Sequence, residues 1–377
     1  MAGADSFFRS LADIEALERT PYAQAIPART TYGLIARAAR LHADRAAFAY
    51  LPDGELATPA QRITYRELLA NVHRAANLFR SLGVGPDDAV AILGPNIPST
   101  QYALWGAQVA GRACPINFML QPDHVGALLE ASGSKVVVAL GPDAQLDLWS
   151  AVQKVPGLAQ RTLLAMDTSG TRSDSFEALL QRQSDALDFD PQLVPDRIAA
   201  LFHTGGTTGA PKLVRHTHGN EAHAGWFAHR FYGFDEHTVE VNGFPLFHVA
   251  GAFVYGLALL AIGATQVLPT VTGMRNAAFL HRYWKFCERE GVTALACVPT
   301  ILAGLCNLPV DADISRVQVA YTGGSPLPAE LAARFEATLG IPVRNILGMT
   351  ESAGLVTIEP FHAARVPGSA GLRLPYT

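Results

Sequence analysis

The feature that most constrains this chain is an alternation of short apolar runs with helix-patterned segments, sustained over most of its length. Residues 89–93 form an apolar run of strand length, followed by Gly94-Pro-Asn96 and a helical stretch that reaches Gly111. Two further strands, at 113–116 and 135–139, bracket a helix that ends near Gly133. Upstream, Thr64-Tyr-Arg-Glu67 reads as a capping box, in which the Thr64 hydroxyl accepts from the first turn and Glu67 reaches back. Behind it Leu68, Leu69, Val72, Ala75, Ala76 and Phe79 recur at helical spacing, and Gly83 closes the segment. The stretch 167–196, richer in Ser, Asp, Gln and Pro, reads as connecting structure within a domain. The alternation then resumes, with strands expected at 199–203, 213–216, 239–241, 264–268, 293–298, 317–321 and 343–347. Strands alternating with helices predict an α/β fold with parallel sheet covered on both faces.

The chain has 377 residues, of which 49% are hydrophobic, enough for a large core in two or three lobes. Only 16% are charged, which argues against disorder. Lys and Arg number 29 against 33 Asp and Glu, without a basic run, so no nucleic-acid partner is expected. Cys114, Cys287, Cys297 and Cys306 form no C-x-x-C pair and sit in apolar contexts, as buried thiols of a reducing cytosol do. Residues 1–5 lack the basic-then-apolar pattern of a signal peptide. The apolar stretch 250–268 approaches membrane-spanning length, but Gly251, Gly256, Gly263, Thr265 and Gln266 interrupt it. It reads as a buried helix stopped at Gly263 and followed by a buried strand. The expectation is a soluble, cytoplasmic protein with no transmembrane segment.

The residues richest in chemistry are Leu201-Phe-His-Thr-Gly-Gly-Thr-Thr-Gly-Ala-Pro-Lys212. Glycines let successive backbone N–H groups turn towards one point and form an anion nest. Thr207 and Thr208 add hydroxyl donors and Lys212 a point charge, which together suit a polyphosphate. A Walker A loop does not fit, because Pro211 precedes Lys212 where glycine is required and Leu213 follows where a hydroxyl should hold magnesium. The glycines alone would equally suit a ligand-free hairpin, so the wider context decides.

That context is specific. Thr204-Gly-Gly-Thr-Thr-Gly-Ala-Pro-Lys212 resembles the phosphate loop of the adenylate-forming (AMP-binding) superfamily, which usually reads T-S-G-T-T-G-x-P-K. Gly205 departs from it by removing one hydroxyl. Phe244-Pro-Leu-Phe-His248 with Gly251 is similar to the family's P-L-x-H segment, and Val298-Pro-Thr300 to its V-P-T. Gly323-Gly-Ser-Pro-Leu-Pro328 resembles the G-G-x-P-L segment that borders adenine, and Leu347-Gly-Met-Thr-Glu351 resembles Y-G-x-T-E. The ordered set identifies the chain as a member of this superfamily, of the acyl-CoA synthetase type. The resemblance implies a large N-terminal core of two stacked α/β lobes with mostly parallel sheets. One lobe would comprise about 62–225, the other 15–61 with 226–355, and 356–377 would begin a β-rich lobe. The rest of that lobe and a C-terminal domain with a catalytic lysine would lie outside these residues.

The implied reaction is attack of a carboxylate on the ATP α-phosphate, releasing pyrophosphate, followed by acyl transfer to coenzyme A. Such chemistry is catalysed by positioning and charge neutralisation. By resemblance, Thr204, Gly205, Gly206, Thr207, Thr208, Gly209 and Lys212 would hold the departing phosphates. Gly323, Gly324, Ser325, Pro326, Leu347, Gly348 and Met349 would border the nucleotide. Thr350 would bond the α-phosphate and Glu351 would ligate Mg²⁺, with Lys212 completing the catalytic set. Leu347 replaces an aromatic that stacks on adenine, and a pure packing role suits it as well. His248, Val249, Phe253, Tyr255, Gly256 and Thr300 would line the acid and thiol channel, although His248 equally suits a structural role.

Around His248 no aspartate is present to pair a substrate amine, which favours an uncharged acyl or aryl acid over an amino acid. His216 and His218 lack a third ligand for zinc, and Gly323-Gly-Ser325 lacks the second glycine of a hydrolase elbow. Residues 1–377 alone are expected to adenylate poorly. The alternatives are a non-catalytic binder of nucleotide or acyl-adenylate, and an adenylating enzyme that does not use coenzyme A.

Overall fold

The computed structural model describes residues 7–204 and 212–377. The strands in chain order are β1 (Ala46–Tyr50), β2 (Gln61–Thr64), β3 (Ala89–Leu93), β4 (Arg112–Pro115), β5 (Ser134–Leu140), β6 (Thr162–Met166), β7 (Ile198–His203) and β8 (Leu213–Thr217). They continue with β9 (Val239–Val241), β10 (Thr265–Leu268), β11 (Ala294–Cys297), β12 (Val319–Thr322), β13 (Val343–Leu347), β14 (Thr357–Ile358) and β15 (Leu372–Arg373). Among the described residues they form a six-stranded sheet, β6-β5-β3-β4-β7-β8, and a nine-stranded sheet, β15-β14-β13-β12-β11-β9-β10-β1-β2. Pairing is parallel through both interiors, for example Ala91 with Cys114 and Val137, and antiparallel at β2, β8, β14 and β15. The architecture is the α/β fold with mostly parallel sheets that the alternation predicts.

Local chemistry sets the elements. Thr64 caps the helix Tyr65–Ser81 as expected, accepting from Glu67 N at 3.2 Å while its own N–H donates to Glu67 Oε2 at 2.8 Å. The helix Pro98–Ala110 is buried from Thr100 to its end. Gly106 lets the two helices close, since a Cβ there would lie 2.5 Å from Ala75 Cβ. The helix His218–Tyr232 packs through Gly225 against Leu257, and with them residues of both sheets join one apolar core. A second core, with Trp284, Phe286, Leu302 and Phe335, fills the other face of the nine-stranded sheet. Residues 250–260 are helical and buried, Gly263 turns with φ +86°, and β10 follows. No helix among the described residues is long and apolar enough to cross a membrane.

The sequence pattern did not single out β1, β2, β6, β14 or β15. β1 is Ala-Ala-Phe-Ala-Tyr, whose alanines carry little strand preference, and its pairing with β10 decides the outcome. β14 and β15 are two residues each, too short for any period to register.

One core residue carries an unusual burden. Glu240 on β9 is fully buried, and neither carboxylate oxygen has a hydrogen-bond partner among the described residues. Burial pushes its carboxyl well above the ordinary 4.5, so the folded protein holds it protonated. Its contribution to stability is complete below about pH 4.5 and declines as pH rises towards the folded value, because the unfolded chain releases that proton first. Glu240→Gln is therefore expected to match the wild type in denaturant titrations near pH 4.5 and to exceed it increasingly towards pH 8; a constant difference across that range would contradict the assignment.

Candidate active site

The candidate site lies where the strands of both sheets run out at their carboxyl ends, the edge at which open α/β sheets present their loops to ligands. β7 delivers His203 and Thr204, and β8 begins directly after Lys212. Thr204 N donates to Lys212 O at 3.3 Å, closing the neck of the glycine-rich segment. Lys212 is exposed. Gly205, Gly206, Thr207, Thr208 and Gly209 lie outside the described residues.

From the nine-stranded sheet, β13 ends at Leu347 and leads through Gly348 and Met349 into a tight turn, Thr350–Ser352. The turn closes by Gly354 N donating to Met349 O at 3.0 Å and Val356 N to Leu347 O at 2.9 Å. Gly348 is obligatory here, because a Cβ would lie 1.8 Å from Gly354 O. Gly354 itself has φ +101°, a conformation open to glycine. Beside this turn, Gly323 follows β12 so closely to β13 that a Cβ would come within 2.8 Å of Ile346 O.

The third side is the arm 244–257. Its stretch Ala250–Leu257 is a wide π-helical turn, a form that leaves carbonyls without their usual helical partners. The buried amides of Asn242 and Gln266 supply them: Asn242 Nδ2 donates to Gly251 O at 3.0 Å, and Gln266 Nε2 to Gly256 O at 3.2 Å. This fixes Tyr255, which stacks on Phe244 with ring centroids 4.9 Å apart.

These three sides enclose a cavity of about 750 Å³. It brings together Thr204, Gly323, Gly324, Ser325, Gly348, Met349, Thr350 and Glu351 with His248, Val249 and Tyr255. An adjoining cavity of about 540 Å³ shares Gly324, Ser325 and Gly348, and is lined by Pro326 and the half-exposed Leu347. Three residues expected to line the acid channel sit elsewhere. Phe253 is fully buried against Trp105 and Phe202, Gly256 lies inside the π-helical turn, and Thr300 is exposed on the first turn of the helix Pro299–Leu305. Each neighbours a lining residue in sequence, but the turn of the helix carries it away from the cavity.

Two histidines face the cavity with defined protonation. His248 Nδ1 accepts from Ala250 N at 3.1 Å, which leaves the proton on Nε2. His203 Nε2 accepts from Asn117 N at 3.0 Å, which leaves the proton on Nδ1. Burial lowers both values, and for His203 the neighbouring His248 adds to it, so both rings are neutral N–H donors at pH 7. His203 was not anticipated as a lining residue; its position one residue before the glycine-rich motif was the available signal. Glu351 is exposed on the cavity wall beside Thr350, a hard oxygen donor suited to a divalent cation that also takes oxygens from a phosphate. No group of three His, Cys, Asp or Glu residues among the described residues could hold a metal alone.

Residues 35–377 match the AMP-binding enzyme family model. The chain belongs to the AMP-binding enzyme family. Within that family, a marinolic acid–CoA ligase of Pseudoalteromonas sp. (strain SANK 73390) is 31% identical over 384 residues, covering 99% of this chain and 59% of that protein. An indoleacetate–CoA ligase of Aromatoleum aromaticum (strain DSM 19018 / LMG 30748 / EbN1) is 30% identical over 326 residues, covering 84% of this chain and 61% of that one. The N-terminal domain of FACL13 from Mycobacterium tuberculosis shares the fold, with a TM-score of 0.74 at 24% identity over 88% of this chain and 79% of that one. The chain spans about three-fifths of the length of the curated relatives it matches.

Gly348→Ala places a methyl group on the Gly354 carbonyl and must open the turn that presents Thr350 and Glu351. If the turn carries a nucleotide, the substitution is expected to weaken Mg·ATP binding by about tenfold or more, equivalent to roughly 1.4 kcal/mol, in a calorimetric titration. Wild-type affinity in a folded Gly348→Ala protein would show that the turn does not carry the nucleotide.

Proposed function

We propose that this family member belongs to an AMP-forming acid–CoA ligase and supplies most of its ATP and acid sites. The observation that carries the reading is one cavity shared by the mouth of the glycine-rich segment, the Thr350–Glu351 turn and the His248 arm. In the reaction, a carboxylate oxygen attacks the α-phosphorus of ATP and pyrophosphate leaves. The coenzyme A thiol then attacks the acyl carbonyl and AMP leaves. Lys212, Thr204, Thr207 and Thr208 would hold the β- and γ-phosphates as charge gathers there, and the Thr350 hydroxyl would orient the α-phosphate. Mg²⁺, held by Glu351 and the phosphate oxygens, would neutralise charge on the transferring group. The adjoining cavity with Leu347 suits the base, packed by an aliphatic side chain instead of an aromatic ring. A division into one lobe near 62–225, a second of 15–61 with 226–355, and the start of a β-rich lobe at 356–377 belongs to the same reading, supported by the membership of β3 to β8 in one sheet and of β1 with β9 to β13 in the other.

The acid we propose is an uncharged acyl or aryl carboxylate. Phe244, Phe247, Val249, Val254, Tyr255 and Val298 give the cavity an apolar wall, and Glu351 is the carboxylate among the described residues that line it. A substrate ammonium would compete with the metal for that group. His203 and His248 offer neutral donors to an oxygen of the acid, so His203→Phe is expected to raise the KM for the acid while leaving that for ATP unchanged.

Acid-dependent ATP–pyrophosphate exchange by the encoded protein, over a panel of alkyl and aryl acids, tests the reading. Exchange is expected, with thioester appearing on addition of coenzyme A, and with Lys212→Ala lowering the rate by about 10²-fold, the scale of losing one charge-stabilising donor. Nucleotide binding without exchange by the encoded protein would favour a non-catalytic binder, and exchange without thioester would favour an adenylating enzyme with another acceptor.

A further inference from the structure

We infer that His216, which faces the buried Glu221, is a positioning residue that fixes the Thr350–Glu351 turn relative to β8. The inference rests on the reading of that turn as a nucleotide-binding element. His216 lies on β8, four residues after Lys212, and is 2% exposed; Glu221 lies on the helix His218–Tyr232 and is fully buried. The imidazole is clamped between Phe202, stacked at 5.0 Å, and Phe253 at 5.8 Å. Its Nε2 is 2.6 Å from the carbonyl oxygen of Thr350. A carbonyl only accepts, so Nε2 carries a proton. β8 belongs to the six-stranded sheet and the turn follows β13 of the nine-stranded sheet, so this bond ties the two sheets together at the cavity.

The other ring nitrogen is held in a chain whose directions are determined. His216 Nδ1 stands 3.4 Å from Glu221 Oε1, an ion-pair separation, and neither atom has a hydrogen-bond partner among the described residues. Glu221 Oε2 accepts from Gln108 Nε2 at 2.8 Å, and Gln108 Oε1 accepts from the Thr31 hydroxyl at 2.6 Å. The Thr31 oxygen then accepts from His218 Nδ1 at 3.1 Å, which makes His218 the neutral Nδ1–H tautomer. Burial keeps His218 neutral by pushing it down to about 3. The clamp by Phe202 and Phe253 and the bond to Thr350 leave the ring no alternative orientation.

A positioning role is separated from a packing role by side chains that differ mainly in the donor. Gln and Met are close in shape, and the Gln amide nitrogen can occupy the place of Nε2. In the full encoded protein, His216→Met is expected to raise the KM for Mg·ATP and lower kcat, each by about tenfold, the worth of roughly one hydrogen bond. The KM for the acid should stay within about twofold, since its apolar wall is built on other elements. His216→Gln should recover most of the loss. If His216→Met does not fold, His216→Phe, which keeps the stacking without the donor, takes its place in the comparison. Folded non-donor variants with wild-type kinetics, or a His216→Gln protein no better than His216→Met, would overturn the inference. Absence of Mg·ATP binding in the wild type would instead overturn the functional reading beneath it.

Discussion

The meeting of two sheets over a single apolar core is the constraint on which the rest depends. The helix His218–Tyr232 and the stretch 250–260 fill the space where residues of both sheets join, and Gly225 against Leu257 sets how closely they approach. Strands in the interior of each sheet run parallel, so each sheet gathers loops along its carboxyl edge. Because the sheets are locked together, Thr204 at the end of β7 and the turn after β13 border the same cavity. On the proposed reading, a phosphate grip drawn from both sheets would need their separation fixed, since positioning errors near one ångström are costly in catalysis. The core therefore acts on the chemistry as directly as the lining residues do.

What could be read from the residues followed the range of the forces involved. Apolar runs such as residues 89–93 become strands because local pattern and burial agree, and the capping box at Thr64 forms because both of its members lie within one helical turn. The segments around Gly323 and Gly348 could be singled out because each is a short loop whose chemistry is local, and Gly323, Gly348 and Thr350 line one cavity. Phe253 and Thr300 show where this stops. Both lie within a few residues of lining positions, yet helix phase turns one into the core and the other to solvent. His203 and His216 show the converse. Nothing near Asn117 in sequence indicates that its N–H meets His203, and no local signal pairs His216 with a carbonyl 134 residues away. β1 follows the same logic, an alanine-rich segment made a strand by β10.

The cavity also separates two kinds of chemistry along its length. Towards Thr204 and the Thr350–Glu351 turn it is lined by the hydroxyl residues Thr204, Ser325 and Thr350, by Glu351, and by Gly323, Gly324 and Gly348. Towards the 244–257 arm it offers aromatic and aliphatic walls held by the Asn242–Gln266 amide pair. Between them stand His203 and His248, each made a neutral donor by a backbone amide that takes one ring nitrogen. Neutral rings add no positive charge to the apolar half, and each keeps one N–H to donate. Burial lowers both histidines, so the same packing that shapes the apolar wall also prevents them from charging. On the proposed reading, the polar end would take the phosphates and the apolar half the acid, without a dedicated residue to reject either.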